Sequence, residues 1–146
     1  MTKKRKYSRG YHLLIGRSVL QEYRREWLKI RSILDSILER MVSGSTFGER
    51  VQGGERRPPQ EVLLDLKDHC REYQIIEQKI QKMESILSSM SEEDMMLIES
   101  YHWRGVPWYE LARAMGKSQT AFYRQLYGLE ERVGKEWEGD PPAPSS

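Results

Sequence analysis

Residues 91–135 read SEEDMMLIESYHWRGVPWYELARAMGKSQTAFYRQLYGLEERVGK, and the punctuation of this stretch decides the fold. Ser91-Glu92-Glu93-Asp94 has the form of a capping box: the Ser91 hydroxyl can accept from the Asp94 backbone N–H, and Asp94 can reach back. Met95, Met96, Ile98 and Tyr101 then give a short helix ending near Trp103, with Gly105 suited to a left-handed cap. Pro107 fits the first turn of a second helix, where a missing N–H does no harm. That helix, Pro107–Met115, is expected to bury Leu111, Ala112 and Met115. The small Ala112 lets a crossing helix come close. Gly116 stops it, and Ser118 caps a third helix that runs to about Val133 or Lys135. Phe122, Leu126, Leu129 and Val133 form the apolar stripe of that last helix. Residues 91–135 therefore predict a helix-turn-helix unit with one supporting helix.

The face opposite the stripe carries Gln119, Thr120, Tyr123, Arg124 and Tyr127, a mix of amide, hydroxyl, aromatic and cationic groups near a helix N-terminus. A recognition helix brings that end to base edges in the major groove. Arg124 suits guanine, Gln119 adenine, and Thr120 a thymine methyl. Lys117, with Ser118 at the helix N-terminus, suits phosphates. The candidate DNA-binding residues are thus Lys117, Ser118, Gln119, Thr120, Tyr123, Arg124 and Tyr127. An ordinary polar surface would look much the same residue by residue. The two caps in register on either side of a glycine turn favour the DNA-binding reading. Trp108 reads as a packing wedge, with no base contact assigned to it.

The stretch from Tyr101 to Val133 resembles region 4 of sigma-70 factors. It is still more similar to the region-4-like repeat of small phage transcriptional regulators of the ArpU and RinA type. Gly105, Trp108, Leu111, Ala112, Gly116 and Ser118 match the repeat, and Phe122, Tyr123 and Arg124 match its aliphatic-aromatic-Arg step. Leu126, Leu129 and Pro107 depart from the pattern. The resemblance implies a phage or prophage late-gene activator that works with host RNA polymerase. It also extends to the layout, with a charged N-terminal helix, a Gly-rich connection and a second long helix ahead of the repeat.

Working outward, Leu13, Leu20, Tyr23, Trp27, Ile30, Leu34, Ile37 and Met41 step alternately by three and four, with Gly16 in the one vacant slot. Val62, Leu66, His69, Tyr73, Ile76, Ile80, Met83, Leu87 and Met90 repeat the alternation. Each run predicts a heptad seam on a long helix. His69 reads as a packed or edge histidine, since no second ligand pairs with it. Between the seams lies VSGSTFGERVQGGERRPP, whose glycines and proline pair break the helix. Residues 1–40 hold eleven basic and four acidic residues, whereas 61–103 hold four basic and ten acidic. That complementarity favours pairing of the two helices, either within one chain or between two chains as a homodimer.

The expected fold is all-α: a long two-helix antiparallel coiled-coil hairpin followed by the three-helix unit. Its parts are a flexible basic arm at 1–10, a hairpin at 11–90 with its connection at 42–60, the DNA-binding domain at 91–135, and a disordered tail at 136–146. Cys70 is the only cysteine, so no internal disulfide forms, and His12, His69 and His102 lack metal-ligand spacing. No signal-peptide run or membrane-spanning stretch appears, which points to the cytoplasm and away from the membrane. No catalytic set or phosphate loop is present, so neither an enzyme nor a cofactor is expected. Double-stranded DNA is the expected partner. A small terminase subunit binding packaging-site DNA, and a helical module that docks on RNA polymerase, are the alternatives.

Overall fold

A computed structural model describes residues 10–43 and 58–139 of the 146-residue chain. Among these residues 88% are helical and none lies in a strand. The helices are α1 (Tyr11–Glu22), α2 (Leu28–Ser43), α3 (Pro59–His69), α4 (Arg71–Ser88), α5 (Glu92–Leu97), α6 (Trp108–Met115) and α7 (Gln119–Glu138). Two π-helical turns, Tyr23–Trp27 and Ile98–Trp103, join α1 to α2 and extend α5. No helix among the described residues is long and apolar enough to cross a membrane.

Ser91 and Ser118 cap their helices where the sequence places them, though the reciprocal bond from the Asp94 side chain does not form among the described residues. The Ser91 hydroxyl accepts from the Asp94 N–H and the Ser118 hydroxyl from the Ala121 N–H, each at 3.1 Å. Gly116 closes α6 in the left-handed region, at φ +69°. Pro107 sits one position earlier than expected: it is the extended N-cap of α6, not a residue of its first turn. The last helix is longer than expected, because residues 136–138 remain helical and Gly139 supplies a left-handed cap at φ +73°. The expected tail therefore loses its first residues to α7. The rest of the tail, the basic arm up to residue 9 and the connection at 44–57 lie outside the described residues.

The chain folds as two compact units that do not follow chain order. In the described residues, one unit is 10–24 with 82–139, and the other is 25–43 with 58–81. The expected division, a hairpin at 11–90 and a separate domain at 91–135, differs from this at both ends: α1 and the end of α4 belong with the C-terminal helices.

In the first unit α1 packs along α7. The two run in opposite directions, since Tyr11 meets Glu138 while Arg17 meets Glu130. The approach is very close. A Cβ on Gly16 would lie 1.8 Å from the Glu130 carbonyl oxygen, and one on Gly134 would lie 1.8 Å from that of His12. A mid-helix glycine costs roughly 1 kcal/mol relative to alanine, so two of them facing each other are offset by the packing that contact permits. Leu20, Leu97, Ile98, Phe122, Leu126 and Val133 are almost fully buried in the core that results. Of the apolar set read from the sequence, Ile98 is buried, Met95 is only half-buried and Met96 is exposed, and Leu97, outside that set, is buried beside Ile98. Met115 is likewise half-buried, while Leu111 and Ala112 are buried.

In the second unit, Arg31 pairs with Glu77 at 3.3 Å and Asp35 with Lys67 at 3.2 Å, and the Lys79 ammonium lies over the Trp27 ring. These partners run in opposite order along the chain, but only Arg31–Glu77 joins a basic residue of the first segment to an acidic one of the second; Asp35–Lys67 has the opposite polarity. Of the second run, Tyr73, Ile76 and Ile80 are buried in this unit, while Met83 and Leu87, also buried, belong to the first. Cys70, in extended conformation, breaks that run into α3 and α4, and His69 is exposed. The first seam holds only as far as Trp27. Beyond the π turn Leu38 is buried, while the expected seam residues Ile30, Ile37 and Met41 are exposed, as is Ile33 at 53%. A π turn adds a residue to the helical repeat and so rotates everything after it.

Gly16→Ala should destabilise the protein by about 3 kcal/mol or more, because backbone, not a flexible side chain, occupies the space. Gly128→Ala, whose Cβ would meet nothing within 4 Å, should stabilise it by roughly 0.5–1 kcal/mol. Urea denaturation of the two variants checks both signs.

Candidate nucleic-acid interface

Helix α6, the turn at Gly116-Lys117 and the start of α7 place the candidate residues. The turn is fixed by backbone bonds from the Gly116 N–H to the Arg113 carbonyl and from the Lys117 N–H to the Ala112 carbonyl. Ser118 then opens α7 as its cap. At 100° per residue, Gln119, Thr120, Tyr123, Arg124 and Tyr127 fall within an arc of about 140°. Phe122, Leu126, Leu129 and Val133 occupy the buried arc opposite.

Gln119, Thr120 and Arg124 are exposed. Tyr123 is half-buried and lies 5.8 Å from the Trp108 ring and 5.5 Å from the Tyr127 ring. Trp108 also packs on Phe122, which fits the wedge role read from the sequence. Tyr127 is 42% exposed, with the Arg17 guanidinium 5.8 Å from its ring centroid. Lys117 is half-buried, and its ammonium donates to the Gln125 side-chain carbonyl, which lies off the face shared by the other five. Ser118 spends its hydroxyl on the cap. Six of the candidates thus gather at the N-terminal half of α7, while Lys117 is tethered to one side.

The remainder of that face is covered. Gly134 and Glu138 continue it toward the C-terminus, and there α1 lies against it. The open surface therefore ends at Tyr127, where Arg17 borders it.

Arg17 belongs to a buried polar cluster that sequence reasoning missed. The Glu130 side chain is 0% exposed and that of His102 is 1% exposed. Arg17 donates from Nε and Nη2 to Glu130 Oε1 at 3.2 and 2.9 Å. His102 Nε2 lies 2.7 Å from Glu130 Oε2. A carboxylate only accepts, so Nε2 carries the hydrogen. His102 Nδ1 is buried and has no partner among the described residues. The bond to Glu130, outweighing the opposing effect of burial, raises the Arg17 pKa above its ordinary value. Burial is also the chief cause that raises the Tyr101 pKa, with Tyr123 and Glu130 adding to it. The available signal for the cluster was Glu130 itself, an acid at the edge of an apolar stripe.

Removing one member of a buried ion pair strands the other, at a cost of about 3–5 kcal/mol. Glu130→Ala should lower stability by less than that, because the Arg17 guanidinium it leaves behind is 38% exposed, with Glu130→Gln less damaging still, as read by thermal unfolding. Tyr101 yields a sign for pH. Its folded pKa is raised, so its contribution is fully present below the ordinary tyrosine value near 10 and is lost as pH rises through the folded value. Tyr101→Phe should therefore flatten the alkaline fall of the melting temperature relative to the parent.

Comparison with protein-family models, with characterised proteins and with solved structures finds no match to this chain.

Proposed function

We propose that the chain is a sequence-specific DNA-binding transcriptional regulator. In this reading α6 and α7 form a helix-turn-helix, and the first turns of α7 enter the major groove. The observation that supports it most is the exposed set Gln119, Thr120 and Arg124 beside the Ser118 cap, flanked by Tyr123 and Tyr127. Arg124 has no side-chain partner among the described residues, which leaves it available to a base edge. The α7 N-terminal amides carry the positive end of the helix dipole toward the same side and suit a phosphate. The resemblance to ArpU- and RinA-type regulators narrows the reading to a phage or prophage late-gene activator that acts with host RNA polymerase.

The second unit fits a helical hairpin, the coiled-coil element of that layout. One observation there favours protein contact as a second activity: α2 leaves Ile30, Ile33, Ile37 and Met41 exposed along one side. Apolar rows of that kind mark surfaces that meet another protein. Host polymerase and a second copy of the chain are the two partners to weigh.

Selecting bound duplexes from a random DNA pool should return a defined site. On that site Arg124→Ala should cost about 1–3 kcal/mol of binding and relax preference at one base pair. If Arg124→Ala combined with Gln119→Ala leaves both affinity and its salt slope unchanged, the DNA-reading role fails and the protein-interaction reading replaces it.

A further inference from the structure

We propose that the reading face of α7 is built for thymine, with the Thr120 methyl and the Tyr123 and Tyr127 rings set against thymine C5-methyl groups in the major groove. This rests on the DNA-binding reading and specifies which base pairs it takes. Of the five side chains on the open face, only Arg124 is charged and only Gln119 carries an amide. The other three pair a hydroxyl with a methyl group or an aromatic ring. Thymine alone among the bases puts a methyl group on the major-groove edge, and apolar side chains are its complement.

The rings are also held in place before any DNA arrives. Trp108 lies against Tyr123, Tyr123 against Tyr127, and the Arg17 guanidinium borders Tyr127 from α1. Arg17 is itself fixed by two bonds to the buried Glu130. A side chain already ordered gives up little rotamer freedom on binding. Free tyrosines that only donated a hydroxyl to phosphate would need no such ladder. Arg17 in this scheme is a positioning residue for Tyr127.

The test uses the full chain and the duplex selected from the random pool. Each thymine in the site is replaced in turn by uracil, which differs only in lacking the methyl group. Affinity should fall about four-fold for each contacted thymine, the Boltzmann factor for one buried methyl group, and uracil outside the site should have no effect. Tyr127→Ala should abolish the thymine-over-uracil preference at one position, whereas Tyr127→Phe should keep it. Arg17→Lys should weaken the preference at that same position while leaving the preference opposite Thr120 intact, which a general loss of folding would not do. Equal affinity for thymine and uracil duplexes overturns the proposal while leaving sequence-specific binding standing, and would assign the tyrosine hydroxyls to phosphates. Failure to select any DNA overturns the proposal and the DNA-binding reading together.

Discussion

The contact between Gly16 and Gly134 sets the geometry of the C-terminal unit. Two helices normally pack with their axes 8–10 Å apart because side chains stand between them. Here neither helix has a Cβ at the crossing, and the backbone of each occupies the space one would need. That proximity lets Arg17 reach the buried Glu130 carboxylate and puts Leu20 in the core. It also lets the Trp103 indole donate to the Leu20 carbonyl at 3.0 Å, which ties the end of the π-helical turn to α1. Remove the close approach and each of these bonds loses its partner.

Glu130 is where packing and electrostatics meet. A fully buried carboxylate is costly to desolvate, and its worth to the fold depends on complete pairing. Both of its oxygens are engaged, one by Arg17 from α1 and the other by His102 from the turn after α5. A cluster that takes one member from each of three segments holds only when all three are assembled. It specifies the arrangement of α1, the Ile98–Trp103 turn and α7 more sharply than apolar contact would, because leucines tolerate small displacements and a paired carboxylate does not.

The same packing delimits the candidate interface. α7 is 20 residues long, and its polar face runs well past Tyr127. α1 covers the C-terminal part of that face and leaves the N-terminal turns open. The cap at Ser118 and the left-handed Gly116 fix where those turns begin. The exposed surface is thus bounded by local chemistry at one end and by a tertiary contact at the other.

The short-range features were legible in the sequence for a plain reason: caps, glycine turns and apolar stripes act through neighbours a few residues apart. Ser91, Ser118, Gly105 and Gly116 behave as their residue types require, and Phe122, Leu126, Leu129 and Val133 are buried as their spacing demands. The grouping of six of the seven candidate residues along the start of α7 follows from the same periodicity. What the sequence left open was decided by contacts between distant segments. Gly16 looked like a gap in a heptad seam, yet it is the point where α1 meets α7, and its partner lies 118 positions away. The π turn at Tyr23–Trp27 is invisible to a count of threes and fours, and it turns Ile30, Ile37 and Met41 out of the seam that their spacing assigned them. Periodicity fixes which residues share a face of a helix. Which face is buried depends on what packs against it, and only the tertiary structure supplies that.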